Sequence, residues 1–65
     1  MTIGEKLRHY RLKENKTQEQ VANDLQISRS AVECYELGQR VPRDAVKVKL
    51  SNYFQVSIEE LFFEK

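Results

Sequence analysis

The sequence predicts an all-α fold, one small domain of five short helices. Three observations carry that reading. Apolar residues recur at helical spacing along the chain. Helix start signals recur at four well-separated places. Val, Ile and Thr never alternate long enough for a sheet, and the 65 residues hold only two Gly and one Pro.

The elements follow in order. Thr2 with Glu5 fits a capping box, in which the hydroxyl takes an orphan backbone N–H and the carboxylate reaches back. Ile3, Leu7 and Tyr10 then share one face, and Asn15 tolerates the left-handed backbone that ends a helix, so the first helix is expected over 3–14. Thr17 with Gln20 repeats the box, and Val21, Ala22 and Leu25 share a face of a helix over 18–25. Ser28 can cap a third helix over 29–37. There Ile27 staples to Val32, Val32 and Tyr35 face inward, and Gly38 stops the helix. Pro42 blocks continuation, Asp44 is the expected cap of a fourth helix over 44–54, and Val46, Leu50 and Phe54 form its inner face. Ser57 with Glu60 gives a last capping box for a helix over 58–62, stapled by Val56 and Leu61; Ile27, Val56, Ile58 and Leu61 are expected to close the core.

Composition narrows the class. A chain this short buries only about 60% of its unfolded surface. Its single cysteine, Cys34, has no partner for a disulfide, which fits a reducing compartment. No apolar run approaches the ~18 residues of a membrane span, and no signal-peptide pattern opens the chain, so the expected location is cytoplasmic, with no membrane partner. Net charge is only +1, from 11 Lys and Arg against 10 Asp and Glu, but it is unevenly placed. Residues 1–16 carry five basic and two acidic groups (+3), 17–27 two acidic (−2), 28–43 three basic and two acidic (+1), and the remainder −1. Placement, more than the total, decides whether a phosphate backbone is attracted.

Residues 17–38, TQEQVANDLQISRSAVECYELG, set two short helices around a turn of about three residues at Gln26. That is helix-turn-helix spacing, in which the first helix braces the second against the major groove. The segment is similar to the phage repressor and Cro class of DNA-binding domains, also called the xenobiotic-response-element family. The likeness runs from Ile3 to Leu61 through IGEKLRHYR, TQEQVA, ISRSAVECYELG and YFQVSIEEL. It implies a compact five-helix, repressor-like DNA-binding domain over residues 1–65, with double-stranded DNA as partner.

On the third helix Arg29, Ser30, Glu33 and Cys34 fall opposite Val32 and Tyr35, and are the expected base contacts. Arg29 sits where the family's recognition helix enters the groove, and its guanidinium suits guanine O6 and N7. Ser30 suits a base or a phosphate. Glu33 either accepts from cytosine N4, repels phosphates to enforce register, or is a solvated charge. Backbone contacts are expected from Thr17, Gln18 and Ser28 at two helix N-termini, and from Gln39, Arg40 and Arg43 in the following loop. The resemblance places Gln18 near the DNA backbone and the loop beside the groove. Arg8 and Lys16 are weaker candidates of the same kind. Arg11 and Glu36 match an arginine and a glutamate that pair within the family's fold, so the resemblance assigns them to structure.

Three positions depart from the family pattern. Gln26 stands where glycine is preferred, Leu37 where a polar residue is common, and Lys47 where many relatives are apolar; its stem is long enough to snorkel. Cys34 reads as a small residue in van der Waals contact with a base, or as a redox-sensitive one; it has no neighbouring resolving cysteine. His9 lacks partners at metal-ligand spacing, nothing gathers Ser, His and Asp into a nucleophilic site, and no glycine-rich phosphate loop occurs. No enzyme, metal, cofactor or small-molecule ligand is expected.

Leu61, Phe62 and Phe63 are too apolar for one short helix to bury alone; they either finish the core or form a two-fold interface. Relatives of this length commonly dimerise through their last helices. A homodimer would hold two recognition helices about 34 Å apart, matching a palindrome. The function expected is a transcriptional regulator, a repressor. The alternative is a protein-binding module on the same fold, such as an antitoxin or a partner-controlled adaptor.

Overall fold

The computed structural model describes residues 1–63. Five helices follow one another: α1 (Ile3–Lys13), α2 (Gln18–Leu25), α3 (Arg29–Leu37), α4 (Asp44–Phe54) and α5 (Ile58–Phe62). Each end lies within one residue of the span expected from sequence. No strand occurs among the described residues, and none of their helices is long and apolar enough to cross a membrane.

Local chemistry sets the starts. Thr2 Oγ1 accepts from the Glu5 N–H at 3.1 Å while Glu5 Oε1 accepts from the Thr2 N–H at 2.8 Å. Thr17 and Gln20 repeat the exchange at 3.0 and 2.8 Å. Ser28 Oγ accepts from the Ala31 N–H at 3.0 Å. Two expectations are corrected. The Ser57 box is half formed: Ser57 Oγ caps the Glu60 N–H, but the Glu60 carboxylate turns to the Tyr10 hydroxyl at 3.4 Å. Asp44 is not the cap of α4. Arg43 holds the extended cap backbone and makes no side-chain cap bond, while Asp44 is already helical and lies in the first turn, where its charge favours the helix dipole.

One device ends α1, α2, α3 and α4. A residue with positive φ follows each helix: Asn15 at 56°, Gln26 at 58°, Gly38 at 77° and Gln55 at 56°. The next N–H then closes back five residues, as Lys16 to Arg11, Ile27 to Ala22, Gln39 to Cys34 and Val56 to Ser51, at 2.9 to 3.1 Å. These are Schellman closures, and they satisfy carbonyls a helix end otherwise leaves open. Gln26 thus adopts a left-handed backbone, at a cost of roughly 1–2 kcal/mol for a residue other than glycine.

α3 packs against α1 on one side and α2 on the other, while α5 joins α4 to α1. Leu7, Val21, Leu25, Val32, Tyr35, Leu50, Phe54 and Leu61 lie in the core these helices enclose. Ile27 and Val56 pack on its edge, whereas Ile58 is 36% exposed and lies outside that cluster. Lys47 reaches over the Phe62 ring at 5.6 Å, its stem half-buried.

Long-range polar ties complete the frame. α2 and α5 have no basic residue in their last turns, and each borrows a lysine from another helix. Lys49 Nζ donates to the Leu25 carbonyl at 3.2 Å, and Lys6 Nζ to those of Glu60 and Phe63 at 2.9 and 3.2 Å. Cations are favoured at those ends by the helix dipole. The Tyr53 hydroxyl donates to Asp24, fastening α4 to α2. Burial, and then the bond and charge of Asp24, push Tyr53 up to about 12. Its folded value lies above the unfolded ~10, so this stabilisation is complete below pH ~10 and is lost as pH rises toward 12. Tyr53→Phe should therefore be less stable at neutral pH yet lose less stability across that window, as read by urea denaturation at stepped pH. Equal alkaline losses in both proteins would refute the assignment.

Candidate nucleic-acid interface

The α2–α3 unit is a helix-turn-helix. Gln26 turns the chain, Ile27 tucks its half-buried side chain against the core, and Ser28 opens α3. α3 has two distinct faces. Ala31, Val32 and Tyr35 are buried, whereas Arg29, Ser30 and Glu33 are exposed and Cys34 is half-exposed.

The outward residues take little part in the fold. Among the described residues Arg29, Ser30 and Glu33 make no side-chain hydrogen bond, and Arg29 and Glu33 do not pair despite their spacing of four; the ion pair within 4 Å is Arg11 with Glu36. The Arg29 fork is therefore available to an external acceptor. Cys34 is less free, since its thiol lies 3.6 Å from the Gln39 amide oxygen.

The residues expected to touch a phosphate backbone fall into two groups. Thr17 and Ser28 use their hydroxyl oxygens as caps, which leaves each O–H as a donor toward the outside. Gln18 is turned inward, with its amide donating to Glu36 Oε1 at 3.2 Å, so one of its two N–H groups is already engaged. In the loop, Arg40 is exposed with its guanidinium 5.8 Å from the Tyr35 ring centre, a contact that limits the space it explores. Gln39 and Arg43 are exposed on the same connection. Arg8 and Lys16 border an open hollow between α1 and α3, shared with Thr17, Gln18, Arg29, Glu33 and Leu37.

α1 fixes the position of α3 at two levels. Arg11 Nε meets Glu36 Oε2 at 2.6 Å and a second guanidinium nitrogen meets Oε1 at 3.0 Å, with the side chains only 11% and 6% exposed. The third nitrogen donates to the Lys16 carbonyl at 2.9 Å. One helical turn before Leu7, Gly4 lies so close to α3 that an added Cβ would stand 2.2 Å from the Glu36 carbonyl oxygen.

The expected dimer residues separate. Leu61 is fully enclosed and Phe62 only 6% exposed, so both belong to the chain's own core, and Phe63, 59% exposed, is the one left facing outward. Three adjacent apolar residues at the end of a five-residue helix carry no period, and Phe63 lies just past the helix with extended backbone, so their order inward and outward was not readable. Sequence reasoning also left Leu37 unassigned. It continues the stripe Arg29–Glu33–Leu37 at spacings of four and is 62% exposed; that spacing was the available signal.

Comparison with known proteins agrees with this geometry. The helix-turn-helix domain family matches residues 2–61. The chain is 39% identical over 61 residues to the HTH-type transcriptional activator BcrR of Enterococcus faecalis, covering 94% of this chain and 30% of that protein. It is 38% identical over 61 residues to the cryptic phage CTXphi transcriptional repressor RstR of Vibrio cholerae, covering 94% and 54%. An uncharacterized HTH-type transcriptional regulator of Methanocaldococcus jannaschii is 37% identical over 57 residues, covering 88% and 86%. The chain thus spans less than a third of the first of these proteins and about half of the second. With two capped helices about a left-handed turn, and a family match over nearly its whole length, the chain belongs to the helix-turn-helix domain family.

Proposed function

We propose that this chain is a cytoplasmic, sequence-specific regulator of transcription that binds double-stranded DNA through the outward face of α3. The observation that carries the reading is the division of that helix. One side is locked to α1 and α2, and the other presents an arginine and a serine that the fold does not use. Arg29 pairs with guanine, Ser30 and Cys34 lie against neighbouring base edges, and Glu33 fixes register. Thr17, Ser28, Gln39, Arg40 and Arg43 hold the phosphates on either side, and Gln18 contributes its second N–H.

α3 and the loop after it bring only Arg29, Arg40 and Arg43 to this face, which gives one copy little non-specific affinity, since that affinity scales with phosphates neutralised. Two copies on a palindrome answer this, and of the three residues expected at the interface Phe63 is the one exposed to join them. Repression is the reading adopted, because occupancy of an operator suffices for it and RstR is named a repressor.

In vitro selection at defined salt tests the proposal directly. The expected result is a two-fold site with half-sites about one helical turn apart. On that site Arg29→Ala should cost ~1–3 kcal/mol at a single base position. Arg40→Ala should weaken operator and random DNA alike and flatten the salt dependence. Equal loss on both DNAs for Arg29→Ala would refute base reading by that side chain.

A further inference from the structure

We propose that Lys6 is a positioning residue for DNA recognition: by gripping the end of α5 it aims Phe63, and so sets the separation at which two copies present their α3 helices. The inference rests on the reading that two copies meet through Phe63. Phe63 lies one residue beyond Phe62, the last buried side chain of α5, with extended backbone. Its own side chain is 59% exposed and lies outside the core. Backbone bonds therefore hold it. Its N–H donates to the Glu59 carbonyl at 3.1 Å, and its carbonyl accepts from Lys6 Nζ at 3.2 Å. The same ammonium donates to the Glu60 carbonyl at 2.9 Å. One half-buried side chain of α1 thus grips two carbonyls at the end of α5.

The other contacts of α1 make this grip bear on DNA. Gly4 and Arg11, seven residues or about two turns apart, meet Glu36 in the last turn of α3. Lys6 and Tyr10, four apart, meet Glu60 of α5. A single helix of 11 residues therefore carries both attachments, and Phe63 is joined to the recognition face through it. In a two-fold dimer each contact is made twice, so the aim of Phe63 enters the separation of the α3 helices twice. DNA tolerates little error there. One base pair more or less shifts a half-site by about 3.4 Å and turns it by about 35°.

The experiment compares wild type, Lys6→Met and Lys6→Arg, each with Phe63 intact and with Phe63→Ala, folding being checked by circular dichroism. Methionine keeps most of the stem and removes the donor. Sedimentation equilibrium should show dimerisation weakened roughly two- to tenfold in Lys6→Met, the worth of one hydrogen bond. Lys6→Arg keeps a cationic donor and should dimerise as wild type does. With Phe63→Ala, Lys6→Met should change nothing further. On the two-fold site selected in vitro, a base pair inserted between the half-sites should penalise Lys6→Met less than wild type, while a single half-site binds both equally. A Lys6→Met chain that keeps wild-type dimerisation and spacing preference overturns the inference and leaves two-copy binding intact. So does one that weakens a single half-site as much as the palindrome, because the lysine then serves folding alone. A wild-type chain that stays monomeric removes the two-copy reading and the inference with it.

Discussion

Glu36→Ala should cost ~3–5 kcal/mol of folding stability, because it strands a guanidinium beside the core. Arg11 and Glu36 are nearly enclosed, at 11% and 6% exposure, and are joined by two charge-assisted bonds. Removing the carboxylate leaves two nitrogens of Arg11 without an acceptor and frees the Gln18 amide as well. A domain of this length has a total stability of about 3–10 kcal/mol, so the variant should be marginal or unfolded at 25 °C. Arg11→Met should behave similarly. The double variant Arg11→Met with Glu36→Ala should lose much less than the sum, since no charge is left uncompensated. Urea denaturation of all four proteins measures the coupling. Additive losses, each below about 1 kcal/mol, would show that the pair is as weak as an exposed one.

Gly4→Ala should destabilise the fold although propensity argues the other way. Alanine inside a helix is favoured over glycine by roughly 0.5–1 kcal/mol. At this position the new methyl would stand 2.2 Å from the Glu36 carbonyl oxygen, 2.8 Å from its carbon and 2.9 Å from the Tyr35 oxygen. All three are backbone atoms in the last turn of α3 and cannot rotate away, so α1 and α3 must separate. Overpacking of this kind costs typically 1–3 kcal/mol, occasionally more, which exceeds the propensity gain. A net loss of ~2 kcal/mol would lower the midpoint of thermal unfolding by roughly 8–16 °C. Because the displaced element carries the candidate recognition face, DNA affinity should fall further than stability alone explains. An unchanged or raised midpoint would show that the helices yield without cost.

These two residues mark what a sequence does and does not display. The caps Thr2, Thr17 and Ser28 were readable because donor and acceptor lie three residues apart, so the bond is written in the local order. The buried and exposed faces of α3 were readable from period alone. The Arg11 and Glu36 pair, 25 residues apart, was reached only through resemblance. Gly4 was missed because its role is the absence of a side chain against a distant carbonyl, which no periodicity records. The same holds for Lys6, Lys49 and Tyr53, whose partners are carbonyls or a carboxylate on other helices. Gln18 was placed near a DNA backbone by resemblance, and its bond to the Glu36 carboxylate, 18 residues away, was not written in the local order. Ser57 was given a full capping box, and Tyr10 draws its second member away. At Ser57 a long-range polar partner outcompeted the local rule.

The two faces of α3 also bear on how such a protein changes over generations. Arg29, Ser30 and Glu33 hold no bond of the fold, so their replacement leaves folding nearly untouched. A lineage can therefore exchange them one at a time without passing through a chain that fails to fold. The ancestral scaffold stays fixed on the inner side of a single helix while the proposed recognition face drifts on the outer side.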